Sequence, residues 1–179
     1  MKTRESTKYM IAAGVVATAI VAGVIGWSKR KSKEVRTEID IRASDERVWQ
    51  ILTDFPNFVN WNPFITKISG DLKKHARLKV RIQPQGERGM TFRPIILDVE
   101  PKRELHWIGR LAVPGLFGGE HIFTIEPLGT DHVRFIHREI FTGLFVLIYA
   151  RNFDTNIRQG FEDMNQALKA KAEQSISIS

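Results

Sequence analysis

Apolar and polar residues alternate along 35–42. Val35, Thr37, Ile39 and Ile41 face one way; Arg36, Glu38, Asp40 and Arg42 face the other. A period of two marks a half-exposed strand. The pattern then changes. Ser44 stands where it can cap a helix, Asp45 and Glu46 suit that helix's positive end, and Val48, Trp49, Ile51 and Leu52 supply its apolar side. Residues 54–63, DFPNFVNWNP, set Asn and Pro against Phe55, Phe58 and Trp61. Asn and Pro favour turns, whereas large aromatics favour burial. The stretch therefore predicts a second short helix over 55–60, capped by Asp54. Its aromatics plug one end of the domain, and its turns allow that end to open.

Six strand-like segments follow, at about 64–70, 76–84, 89–99, 104–112, 119–127 and 131–142, separated by turn-formers such as PQGERG and PLGTD. Short links imply antiparallel neighbours. Tyr149, Phe153, Ile157, Phe161, Met164 and Leu168 then recur at spacings of three or four, with Arg151, Asp154, Arg158 and Glu162 opposite. That is a long amphipathic helix. Gly160 shares its apolar face, where Gly costs about 1 kcal/mol relative to Ala. Either close packing on the sheet or room for a ligand accounts for it. The sum is an α+β domain over 35–174 with a short tail, 175–179. A seven-stranded curved antiparallel sheet wraps a long C-terminal helix, because a sheet with one polar face must cover the other.

The chain has 179 residues and a formal net charge of +7. Seven of its 27 Lys/Arg and two of its 20 Asp/Glu fall in 1–34, so the rest of the chain is close to neutral. A nucleic-acid binder carries its basic stripe on the folded domain, so no nucleic-acid partner is expected. There is no cysteine, which excludes thiol nucleophiles and Cys-ligated zinc.

Residues 9–27 hold no charge, with Tyr9 and Trp27 at the ends and KRKSK close behind. At about 1.5 Å per residue they reach about 28 Å, close to the hydrocarbon thickness of a bilayer. No A-x-A-like cleavage site follows, so the run reads as an uncleaved single-pass anchor within an N-terminal tail, 1–34, that ends in a basic linker. The basic excess after the span leans towards a cytoplasmic domain. Gly14, Thr18, Ala22 and Gly26 form a small-residue stripe that would admit a second copy of this helix and make a homodimer.

RASDERVWQILTDFPNFVNWNPFI resembles the N-terminal signature of the SRPBCC superfamily in its polyketide cyclase/dehydrase-like branch. MTFRPIILDVEPKRELHWIGRLAVPGLFGGEHIFTIEPLGTDHVRFIHREIFTGL is similar to the rest of that pattern. The resemblance implies a helix-grip fold, as in START domains and the birch pollen allergen, with an apolar cavity between sheet and helix. It also implies a hydrophobic ligand. It carries no shared catalytic motif.

Alternation then assigns the cavity side. Two arginines are hard to bury, so Val133, Phe135, His137, Glu139 and Phe141 should point inward and Arg134 and Arg138 outward. The same logic turns His121, Phe123 and Ile125 inward, and Leu105, Trp107, Gly109 and Leu111, with Gly109 leaving a gap beside Trp107. Together with the plug and the helix, the expected ligand-binding set is Trp61, Trp107, His121, Phe123, Phe135, His137, Glu139, Phe141, Phe153, Ile157, Gly160, Phe161 and Met164. His137 and Glu139 are the acid/base candidates, against a reading in which a buried His–Glu hydrogen bond merely satisfies both groups. No metal-ligand spacing is present, and neither metal nor cofactor is expected. The leading expectation is a membrane-anchored binder or carrier of a lipid, quinone or isoprenoid-like molecule. A cyclase/dehydratase-like enzyme and an interaction module with a filled cavity are the alternatives.

Overall fold

The computed structural model describes residues 32–84, 86, 88–110 and 116–174, with the side chains of 144–154 outside that description. The expected anchor, 9–27, also lies outside it. Among the described residues no helix is long and apolar enough to cross a membrane.

Strand β1 (Ser32–Ile41) leads into helix α1 (Asp45–Thr53) and a 3-10 helix (Phe55–Asn60). Strands β2 (Ile65–Ser69), β3 (Lys79–Ile82), β4 (Met90–Phe92), β5 (Ile95–Glu100), β6 (Glu104–Arg110), β7 (Gly118–Gly129) and β8 (His132–Thr142) follow, then helix α2 (Leu144–Glu173). The order in the larger sheet is β1-β8-β7-β6-β5, and in the smaller β2-β3-β4. All pairings are antiparallel. This is the α+β helix-grip arrangement.

The seven-stranded count needs correction. The stretch 89–99 is not one strand but two, β4 and β5, parted at Arg93–Pro94. Pro94 has no N–H to give a ladder, and its carbonyl instead accepts from Leu78 N at 2.8 Å. The stretch 76–84 bends at the same place. His75 N donates to Ile96 O and Ile96 N to Ala76 O, so this end runs beside β5, while β3 beyond it pairs with β2 and β4. Two chain segments thus cross a seam together, and the eight strands divide five and three.

Local expectations for α1 hold. Ser44 Oγ accepts from Arg47 N, and Val48, Trp49, Ile51 and Leu52 are buried. The short helix over 55–60 is present but Asp54 makes no side-chain cap to it. Asn62 does the holding: its Oδ1 accepts from Phe64 N and Ile65 N, at 3.0 and 2.8 Å. Phe55 and Phe58 are buried.

Helix α2 is tied along β1. Arg158 donates to the Arg36 carbonyl, Asn165 to Thr37 Oγ1, Lys169 to the Asp40 carbonyl, and Glu173 accepts from Arg42 N. These ties fix its rotation. Phe161, Met164 and Leu168 consequently face the sheet, fully buried.

Candidate functional site

Strands β7 and β8 pair so that His121 lies opposite Glu139 and Phe123 opposite His137. The alternation expected for β8 is observed: Val133, Phe135, His137, Glu139 and Phe141 are all buried. On β7, so are His121, Phe123 and Ile125. The side chains meet across strands, not along one. His137 and Glu139, two residues apart, stand about 7 Å apart by strand rise, whereas His121 reaches both. Its Nδ1 is 3.4 Å from Glu139 Oε2, and its Nε2 is 2.5 Å from His137 Nε2. The acid/base pair expected from the sequence is therefore corrected: His121 separates His137 from Glu139.

The chain of polar groups continues into the helix. His137 Nδ1 is 3.3 Å from Asn165 Oδ1, and Asn165 Nδ2 donates to Thr37 Oγ1 at 2.9 Å. The Phe161 ring stacks on the His137 ring with centroids 3.7 Å apart. Asn165 and Thr37 were missed at the sequence level. Asn165 does leave a trace there, as a polar residue four positions after Phe161 on the apolar face.

Burial controls the charge of these groups. It brings His121 down to about 3, with nearby His106 adding to the effect. It also holds His137 well below the ordinary imidazole value, with His121 adding. Burial raises Glu139 to about 8. Near neutral pH the chain is thus composed of two uncharged imidazoles and a protonated carboxyl.

A cavity of about 70 Å3, partly open to solvent, lies against the cavity-side edge of this chain. The larger sheet supplies Trp107, His121, Glu139 and Phe141, with Gly109 and Gly119 as positions without side chains. Val80 and Ile82 of β3 and Met90 and Phe92 of β4 close it from above, and Ile157 of α2 from the side. Gly109 leaves real space: a Cβ there would meet only the Gly119 carbonyl oxygen, at 3.9 Å. Gly119 is different, because a Cβ there would overlap Glu139 Oε1.

Of the expected binding residues, Trp107, His121, Glu139, Phe141 and Ile157 line the cavity. Phe123, Phe135, His137, Phe161 and Met164 are buried behind it. Trp61 packs edge-on against Phe58, 4.9 Å between centroids, and belongs to the plug. Phe153 and Leu111 lie outside the described residues and side chains. Gly160 also belongs elsewhere. A Cβ on it would overlap the Phe64 ring, so close packing is its reason. It borders a separate groove of about 390 Å3 with Phe64, Thr66 and Asp163. That groove is larger but lacks the cavity's apolar lining and its buried titratable groups. Among the described residues no cluster of three His, Asp or Glu is arranged to hold a metal ion.

A family described as "Polyketide cyclase / dehydrase and lipid transport" matches residues 32–173. No curated protein matches the chain. Among solved structures, the chain is similar to the Zhui aromatase/cyclase from Streptomyces sp. R1128, at 14% identity and a TM-score of 0.67, covering 80% of this chain and 95% of that one. It is also similar to a START superfamily protein from Mycobacterium smegmatis, at 21% identity and a TM-score of 0.62, covering 79% and 97%. A truncated norcoclaurine synthase from Thalictrum flavum shares the fold at 13% identity and a TM-score of 0.61, covering 81% and 96%.

Proposed function

Because the chain belongs to the polyketide cyclase / dehydrase and lipid transport family, we propose that its domain binds an apolar small molecule in the cavity beneath β3 and β4. Residues 9–27 tether it to a membrane, with the domain on the cytoplasmic side. The observation that carries this reading is the cavity itself: apolar walls, one polar edge made by His121 and Glu139, and an open position at Gly109. A few convergent polar groups in an apolar pocket are the usual makeup of a small-molecule site.

The cavity volume of about 70 Å3 is small beside the ~300–1,000 Å3 of drug-sized sites. A lipid, quinone or isoprenoid must therefore part β3 and β4 from β6 and β7. These are the short strands of the smaller sheet, and Met90 at their tip is half exposed. A tether would hold that entrance close to a membrane store of ligand. The small-residue stripe of the tether leaves a second copy of the chain as its partner helix.

Native mass spectrometry of the full chain, gently extracted from its own membrane, tests this reading. A co-purified apolar molecule is expected. Protein found in the soluble fraction and free of any such molecule contradicts it.

A second reading is a cyclase/dehydratase-like enzyme with Glu139 and His121 as its acid/base pair. The specific observation in its favour is a carboxyl kept protonated near neutral pH at a cavity wall. Turnover of an apolar substrate that disappears in Glu139→Gln while binding persists distinguishes it from a carrier.

A further inference from the structure

The polar edge of the cavity has a fixed direction, set from its closed end. Asn165 Nδ2 is committed to Thr37 Oγ1, so the atom it turns to His137 Nδ1 is Oδ1, which only accepts. The Phe161 carbonyl also accepts from this ring. His137 must therefore carry its proton on Nδ1. As a neutral ring it then has a bare Nε2. That nitrogen lies 2.5 Å from His121 Nε2, so His121 is the donor of the pair. Being neutral as well, His121 is left with a bare Nδ1, and this nitrogen belongs to a cavity-lining ring.

Glu139 completes the arrangement. Its Oε2 is 3.4 Å from His121 Nδ1, beyond the ordinary range of a hydrogen bond. An ionised carboxylate there would set lone pair against lone pair in a buried site. The protonated carboxyl instead supplies an O–H. Among the described residues, Arg110 at the cavity rim is the one lining group that carries a charge near neutral pH. His106 and its partners Glu120 and Glu104 sit on the opposite face of the sheet.

From this order of donors and acceptors we infer that the cavity selects a neutral apolar molecule bearing a hydroxyl group, an alcohol, phenol or enol, whose oxygen donates to His121 Nδ1 and accepts from the Glu139 carboxyl. The inference rests on the binding reading above and adds the chemistry of the ligand's polar end. A hydroxyl offers one donor and two acceptor sites, which matches the two groups. An ether or ketone has no proton for Nδ1. A carboxylate brings a second anion-forming group into a dry site and likewise lacks a donor. An apolar end leaves both protein groups unpaired.

A matched series of small probes tests it: p-cresol, 4-methylanisole, toluene and p-toluate, each titrated at pH 7 into the full chain in detergent. Binding is followed by NMR shifts of the Trp107 indole and His121 ring signals. p-Cresol is expected to bind at least about tenfold more tightly than the other three, a difference of about 1.4 kcal/mol. In His121→Phe that preference is expected to vanish while toluene still binds. Equal binding of p-cresol, 4-methylanisole and toluene would overturn the hydroxyl inference and leave the apolar-ligand reading standing. Tightest binding by p-toluate would overturn the assignment of a bare Nδ1 beside a protonated Glu139. Failure of all four to shift Trp107 or His121 would overturn the binding reading and the inference with it.

Discussion

The Glu139 carboxyl occupies the space that a side chain at position 119 would fill. A Cβ on Gly119 would overlap Glu139 Oε1. Glycine on β7 is thus what lets a carboxyl from β8 lie flat against the sheet at the cavity wall, with only 9% of the residue exposed. Its raised protonation follows from that burial.

The pH dependence of stability should report this. An unfolded Glu titrates near 4.5 and the folded Glu139 at about 8, so between those values the folded state holds a proton that the unfolded state has lost. Glu139 therefore costs stability as pH rises from about 4.5 to 8, by up to about 1.4 kcal/mol per pH unit. His121 acts in the opposite sense: its folded value of about 3 lies below the ordinary 6.5, so its contribution is lost as pH falls through that window. Denaturant melts of wild type and Glu139→Gln from pH 4 to 9 separate the two. The difference between them should slope between pH 4.5 and about 8 and be flat on either side.

Gly160→Ala should destabilise the domain. Helix propensity alone favours Ala by about 1 kcal/mol. The new methyl meets the buried Phe64 ring, however, and overpacking costs about 1–3 kcal/mol. A net loss of up to about 2 kcal/mol in urea unfolding is expected. A net gain would mean that Phe64 has room to move.

Gly109→Val should do the reverse. Its side chain enters open space, and a β-branched residue suits a strand. Stability should stay the same or rise by up to about 1 kcal/mol, while binding of xenon, read by NMR at Trp107, should be lost. Retained xenon binding would place the cavity elsewhere.

Asn62→Ala removes the acceptor of two buried backbone N–H groups, those of Phe64 and Ile65. Each unsatisfied group costs about 1–3 kcal/mol. Thermal unfolding should show a loss in that range or larger, with the 3-10 helix as the region that opens first in hydrogen exchange.

Much of this was legible in the sequence because strands have a period of two. His137 and Glu139 could be turned inward from Arg134 and Arg138, and His121 from the same alternation in its own strand. Which of them touch could not be read that way. Contact depends on the β7–β8 register, which sets His121 opposite Glu139 and Phe123 opposite His137. Asn165 escaped for a similar reason: its role depends on how α2 is rotated against β1, which four long-range polar ties decide. The break at Pro94 is visible as a proline, yet the sequence pattern alone carries 89–99 as one strand. Its consequence, a second sheet that lids the cavity, needed the pairing of 75–78 with 94–96. Gly160 offered two readings that only the position of Phe64 could separate.

Asn165, His137 and His121 form an uncharged chain of fixed direction whose bare end, His121 Nδ1, faces the protonated Glu139 carboxyl, and imidazole nitrogen NMR of the histidine-labelled protein at pH 7 reads that direction. Two neutral rings with different tautomers are expected, His137 protonated on Nδ1 and His121 on Nε2. A proton on His121 Nδ1, or a doubly protonated ring at either position, would contradict it.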